Sequence, residues 1–340
     1  MRKKELLSII MNYAIPQQGL AKMKSLISND LIILAYHRVK DIENPEQYSF
    51  DDELISASTD QFEHQMYYIR KYYNPISESQ LLDAIERNIK LPKRSVLVTF
   101  DDGFDDNYLY AFPILKKYSI PAVIFLATDF IGSNEPIWFD WLAALVFSSK
   151  AKIIKVNKLD VEYVRGNKLQ NRKILTDLIV RIRKEENSSR LEIIEQLKND
   201  YSNQLSVDYS ESRGLTWDQI TEMNDSGITF GSHTVTHPIL SRLNNEELVI
   251  ELTKSKKIIE EKLDIIVNSI AYPTGMADSI SDGVVYHAQH IGYKIGYSYI
   301  HGNNRISSFN VFSMKRLHIE SHISNAFFNS MLNFPEIFKD

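Results

Sequence analysis

Four residues of this 340-residue chain have the types and spacing for hydrolytic chemistry. Asp101 and Asp102 stand side by side in Ser95-Val-Leu-Val-Thr-Phe-Asp-Asp-Gly103, and His233 and His237 stand four apart in Gly231-Ser-His-Thr-Val-Thr-His-Pro238. One carboxylate and two imidazoles make a three-ligand metal set that leaves a coordination position for water, as catalytic zinc sites do. The chain has no cysteine, so His and carboxylate are the ligands on offer. Taken alone, Asp-Asp-Gly also reads as a turn, because both residue types favour turns for conformational reasons. The histidine pair further along favours the metal.

Something must place these groups together. Val96, Leu97, Val98 and Phe100 form a short apolar run rich in β-branched and aromatic residues, which predicts a strand buried on both faces. It stops at the paired acids, and Gly103 lets the backbone turn sharply or approach a ligand. A second strand-like run, Gly227 to Phe230, leads to the histidines. Pro238 disfavours helical geometry at the residue before it, so the histidines are expected on a loop with one turn. Acids at the carboxyl end of a buried strand are where an α/β protein places its chemistry.

With these stretches in view, the chain resembles the NodB-homology polysaccharide deacetylases (carbohydrate esterase family four). Thr99-Phe100-Asp101-Asp102-Gly103 is similar to that family's first motif, Ser232 to His237 to its second, and Ala271-Tyr272-Pro273-Thr274-Gly275 to a variant of its third. Leu34-Ala-Tyr-His37-Arg-Val39 resembles the poly-N-acetylglucosamine deacetylase branch, in which a late histidine motif is permuted to the N-terminus. The resemblance implies that Asp102, His233 and His237 hold one divalent metal, zinc by preference, and that Asp101 is the general base. It implies that the backbone N–H of Thr274 helps to stabilise the oxyanion. The arginine that usually opens the third motif is Ala271 here; Arg316 is a candidate substitute, with a surface ion pair as its alternative. For the general acid there are two candidates, His37 and His318, of which His37 is preferred. The implied fold is a distorted, incomplete (β/α) barrel of about seven parallel strands.

The remaining residues fill in that barrel. Ser58-Thr-Asp-Gln61, Ser77-Glu-Ser-Gln80, Thr216-Trp-Asp-Gln219 and Asn244-Asn-Glu-Glu247 read as helix N-termini, each placing Gln or Glu three residues after a capping residue. Leu248, Leu252, Ile259 and Leu263 are spaced to face inward from one helix. Strands are expected over 31–39, 121–127, 270–273, 293–299 and 312–319. From about 132 to 213 the composition shifts to charged, helix-favouring segments, which predicts a largely helical insertion; Trp138 and Trp141 are expected to anchor it, with sugar stacking as the alternative. The domain boundaries expected are a helical segment at 1–30, the deacetylase domain at 31–325 with its insertion, and a tail at 326–340. His64, His287, His290, His301 and His322 belong to no motif.

A net charge of −5 argues against a nucleic-acid or anionic-membrane partner held by bulk electrostatics. Arg2, Lys3 and Lys4 precede a short apolar run broken at Asn12, too short for a signal peptide, and no stretch reaches the ~18 apolar residues of a membrane span. A cytoplasmic protein is expected, with peripheral membrane contact through Leu6, Leu7 and Ile10 as the minor alternative. Three functions compete. The first is a metal-dependent hydrolase that removes N-acetyl groups from an N-acetylated sugar polymer or lipid-linked saccharide. The others are a deformylase or amidohydrolase on a small sugar derivative, and a non-catalytic carbohydrate-binding protein.

Overall fold

The structure is a computed structural model that describes Lys4, Glu5, Leu7, Ser8, residues 30–305, Ser308 and residues 310–337. Most of the segment 1–30 expected to be helical, including Leu6 and Ile10, lies outside the described residues. No described helix is long and apolar enough to cross a membrane.

The ordered elements are β1 (Asp30–Tyr36), α1 (Thr59–Tyr72), α2 (Glu78–Glu86), β2 (Ser95–Phe100), α3 (Phe112–Tyr118) and β3 (Ala122–Leu126). The insertion follows with α4 (Trp138–Ser148), β4 (Ile153–Val156), β5 (Val161–Val164), α5 (Lys168–Lys184) and α6 (Asn187–Tyr201). The chain returns with α7 (Trp217–Asp225), β6 (Thr229–Ser232), α8 (Asn245–Leu263), β7 (Ser269–Ala271), α9 (Asp282–Ile291), β8 (Ile295–His301), β9 (Met314–His318) and α10 (Asn325–Asn333). Capping boxes form at Ser58, Ser77, Thr216 and Asn244, each satisfying orphan N–H groups at a helix start.

Seven strands, β1, β2, β3, β6, β7, β8 and β9, pair in parallel and close into a ring, because β1 bonds both β2 and β9. The ring has one strand fewer than an eight-stranded barrel and is uneven. β6 and β7 share a single register pair, and the β8–β9 register shifts between Tyr297 and His301. Side chains alternate, so Leu31, Ile33, Leu97, Phe125, Tyr297 and Met314 meet in one buried cluster inside the ring. Ile32, Leu34, Val98, Ile124 and Ile270 face outward into a second, larger cluster with the helices. On α8, Leu248, Leu252 and Ile259 are buried there and Leu263 packs against them.

The structure differs from the sequence reading at two places. Residues 326–340 are expected as a tail, yet α10 buries Phe327, Phe328, Met331 and Leu332 against the helical layer. Its aromatic residues give it too much apolar surface to leave in water. The insertion also holds a hairpin, β4–β5, which its charged composition conceals. It has a core of its own around Trp141, Leu145, Leu175, Leu178, Ile193 and Leu197.

Candidate active site

Period-two alternation carries the inward face of the strands up to the mouth of the barrel. The inward series runs through Thr99 to Asp101, through Ala35 to His37, from Tyr297 to Tyr299, and through Arg316 to His318. Asp101 is 2% exposed and Asp102 1%. Immediately after β2 the backbone turns left-handed at Asp102 (φ 73°) and Gly103 (φ 86°). A Cβ on Gly103 would come within 2.9 Å of the terminal methyls of Leu126 and Ile131, so a larger residue would have to displace them as well as hold a strained φ. Thr234 (φ 69°), His237 (φ 53°) and Thr274 (φ 59°) are also left-handed non-glycine residues. Such positions cost on the order of 1–3 kcal/mol each and cluster where a site is built.

Asp102, His233 and His237 converge. Both Nε2 atoms lie 3.4 Å from Asp102 Oδ1, and all three offered ligand atoms lie within 4.8 Å of one another. His233 Nδ1 lies 2.7 Å from the carbonyl oxygen of Ala271. Donating there fixes the tautomer and leaves Nε2 free to ligate. Burial, and then His233, push His237 down to about 3, so it is a neutral imidazole, the form that binds metals. The carboxylate of Asp102 is the telling part: both oxygens are buried with no hydrogen-bond partner. An ion is what such an orphaned carboxylate between two buried imidazoles fits.

The histidine loop is itself held. Glu251 on α8 accepts from the N–H groups of Val235 and Thr236 (2.7 and 3.1 Å) and from the Thr236 hydroxyl (2.7 Å). Thr234 Oγ1 accepts from His237 N–H, and Trp138 Nε1 donates to the His237 carbonyl (3.0 Å). The segment is a loop with no helix, and the insertion is bonded directly to it. Trp141 is buried in the insertion's core, whereas Trp138 also lines the cleft.

Asp101 has the opposite environment from its neighbour. Arg316, fully buried on β9, grips both its oxygens at 2.7 Å and is itself fixed by Ser298 O and Thr99 Oγ1. Burial alone would raise the Asp101 carboxyl, but the guanidinium holds it well below the usual carboxylate range. The surface-pair alternative for Arg316 is therefore excluded by its position. The N–H of Thr274 donates to nothing among the described residues, and Thr274 lines the cleft.

The two candidate acids part company. His37 lines the cleft, its backbone anchored by Ser56 Oγ and Asn107 Nδ2. His318 is not among the cleft-lining residues; it stacks under Tyr299, with ring centroids 3.6 Å apart and planes 7° from parallel. Burial, and then Arg316, push it down to about 3.

Sequence reasoning missed Arg38, which is wholly buried and ties three segments together. Its Nε meets Asp106 Oδ2 at 2.7 Å, its Nη1 meets Asp140 Oδ2 on α4 at 3.5 Å, and its Nη2 donates to Glu211 O at 2.7 Å. It follows His37 directly, so the link between barrel and insertion passes beside the site. Glu251 was missed as well, because a carboxylate in mid-helix reads as surface. No sequence signal distinguishes it from Glu260 or Glu261.

The comparisons with known proteins fit this geometry. A model of the family described as polysaccharide deacetylase matches residues 88–296. A Staphylococcus aureus poly-β-1,6-N-acetyl-D-glucosamine N-deacetylase is 34% identical over 113 residues, 32% of this chain and 39% of that protein. The Escherichia coli enzyme of the same name is 31% identical over 96 residues, 28% of this chain and 13% of that one. The match thus spans well under half of either relative's length. Among solved structures, the Streptococcus pyogenes deacetylase PplD superposes with a TM-score of 0.59 at 21% identity, covering 92% of this chain and 99% of that one. IcaB from Ammonifex degensii gives 0.57 at 17% identity, covering 90% and 98%. These two likenesses speak for the fold. The family match spans Asp101, Asp102, His233, His237 and Thr274 but stops short of Arg316. By the family model, which covers well over half of its length, this chain belongs to the polysaccharide deacetylase family.

Proposed function

We propose that the chain is a metal-dependent N-deacetylase of an N-acetylated saccharide of the poly-N-acetylglucosamine kind. The observation that carries this reading is the buried carboxylate of Asp102, without a hydrogen-bond partner, between the imidazoles of His233 and His237, with an Arg-gripped carboxylate next to it. Asp102, His233 and His237 would hold one divalent ion, zinc by preference, which supplies water activation and polarisation of the amide carbonyl. Arg316 keeps Asp101 ionised and oriented, so Asp101 can accept a proton from the attacking water. The same grip lowers its basicity, so the proton is passed on. The Thr274 N–H, on the cleft and without an acceptor among the described residues, would donate to charge developing on the carbonyl oxygen. His37 gives a proton to the departing amine nitrogen, and the products are acetate and a free amino sugar. His318, neutral at ordinary pH and screened by Tyr299, is poorly placed for that task.

Acetate release from β-1,6-linked N-acetylglucosamine oligomers by metal-reconstituted protein tests the reading. Turnover should track one equivalent of metal. Asp101→Asn should keep the metal and lose turnover, whereas Asp102→Asn should lose both. Fully loaded protein that frees no acetate from any N-acetylated saccharide would overturn it; formate release from N-formyl sugars in that case would select the deformylase reading.

A further inference from the structure

The cleft over the site, about 810 Å³ in volume, is not lined by the barrel alone. One wall is the C-terminal end of α5, in the insertion, which contributes Ile179, Val180, Arg183 and Lys184. Arg242, from the turn after the histidine loop, stands on the same cleft. In a chain of net charge −5, three cations on one rim are a local reversal of sign.

Basic residues in the last turn of a helix have an ordinary explanation, since they complement the helix dipole. It accounts for Arg181, which is paired with Asp177 on the surface. It leaves the donors of the other cations unspent: Arg183, Lys184 and Arg242 make no ion pair or side-chain hydrogen bond among the described residues. Arg183 is the most informative of the three, because it is partly buried against the cleft and burial lowers its pKa, with only Asp278 acting electrostatically against that. A partly desolvated guanidinium without a hydrogen-bonded anion is costly unless a ligand completes it.

The other carboxylates on the cleft are already engaged. Asp51 is paired with Arg172, Asp101 with Arg316, and Asp102 belongs to the metal triad. Of the cleft-lining carboxylates only Asp278 is left to oppose the three cations, a net charge of +2 on the rim (three positive, one negative), with Asp177 acting on Lys184 from outside the cleft. A phosphate ester carries up to two negative charges at neutral pH, and arginine forks match its oxygens bidentately.

We propose that the rim formed by Arg183, Lys184 and Arg242 is a subsite for a phosphate group carried by the acetylated saccharide. This rests on the deacetylase reading for what occupies the cleft beside it. The phosphate has two chemical sources, an ester on the glycan itself or the phosphate that joins a saccharide to a polyprenyl lipid. The insertion thereby selects among acetylated sugars by charge, while the barrel works on the amide.

The test uses an N-acetylglucosamine trisaccharide, the same trisaccharide with a reducing-end phosphate, and that phosphate esterified to a short prenyl chain. Binding is measured by calorimetry on metal-loaded Asp101→Asn protein, and acetate release on the wild type. The phosphorylated sugar should bind at least about tenfold tighter than the neutral one at low salt, with the preference shrinking as ionic strength rises. An Arg183→Gln/Arg242→Gln double variant should lose that preference. Lys173→Gln, which removes an exposed cation from the same helix away from the cleft, should retain it. A further gain from the prenyl chain assigns the phosphate to a lipid carrier, and no gain assigns it to the glycan. Equal affinity for neutral and phosphorylated sugar, or a preference that survives the double variant, overturns the subsite. If acetate is released from both sugars with equal affinity, the deacetylase reading stands and the subsite falls. If the preference holds but no acetate is released from any of them, the reverse is true.

Discussion

The barrel mouth and the insertion face each other across one cleft with opposite habits. At the mouth every buried charge is constrained: Asp101 is gripped twice by Arg316, Asp102 lies between two histidines, and the His233–His237 loop is clasped by Glu251. The insertion offers the cleft a mixed wall of Trp138, Phe139, Ile179 and Arg183, and its own core lies elsewhere, around Trp141. Groups that move protons need fixed distances, whereas a wall that selects ligands needs shape and charge. The difference teaches that the two jobs are divided between two cores, joined by apolar packing of Phe104, Ala127 and Phe130 on Ile137 and Phe139 and by polar contacts such as Arg38–Asp140.

The sharpest way to break that division is at the proton donor. His37→Ala should cost on the order of 10²–10⁴ in turnover while leaving metal content intact, the usual worth of a general acid. His318→Ala should cost far less and should act through stability. Burial holds the folded His318 at about 3, well below its ordinary 6.5, so the unfolded chain takes up a proton first as pH falls. Stability contributed by neutral His318 is therefore present above about 6.5 and lost between 6.5 and 3, and His318→Ala should flatten that decline in urea melts. If the two variants exchanged phenotypes, the donor would be on the last strand.

A smaller effect tests the joint between the cores. Asp140→Ala removes a buried acceptor that Arg38, the Asp51 N–H and the Ser212 hydroxyl all use. Breaking one side of such a buried cluster costs about 3–5 kcal/mol. We expect one calorimetric transition at lower temperature, with turnover reduced because Arg38 adjoins His37. Two separate transitions in the variant would mean that insertion and barrel are coupled chiefly through this acid.

The smallest expected effect is confined to the closed end of the barrel and leaves the insertion alone. Glu78 is buried, accepts from Tyr297 Oη at 3.1 Å, and is pushed by burial from 4.5 up to about 7. Between those values the unfolded chain has lost this proton while the folded one retains it. Stability should therefore fall as pH rises through that window, by up to about 1.4 kcal/mol per pH unit. Glu78→Gln should flatten the fall, as read from melting temperatures at pH 5 and pH 7.5, and an unchanged slope would show that Glu78 titrates normally.

Much of the mouth was legible because its chemistry sits on short contiguous stretches. Thr99 to Gly103 and Ser232 to His237 each carry several site residues, and strand alternation then fixes which side chains point inward. Arg316 could be named only as a candidate, since its partner is 215 residues away and nothing local marks it. The cleft wall from α5 was illegible for a related reason: Arg183 and Arg181 look alike in sequence, and only the packing of the helix puts one toward the site and the other toward Asp177. The hairpin β4–β5 and the docking of α10 were hidden by composition, in one case too charged and in the other too near the end to suggest burial.

The ring's closure through β1 also sets an order of assembly. Asp101 emerges from the ribosome 215 residues before Arg316. At ~5–20 residues per second, that is a delay on the order of 10–40 s during which the acid has no counter-charge. β1 must likewise wait for β9 before its second edge is paired. The nascent chain thus carries an open, apolar sheet edge and an inactive pair of acids until β9 has been made, and that strand removes both liabilities at once.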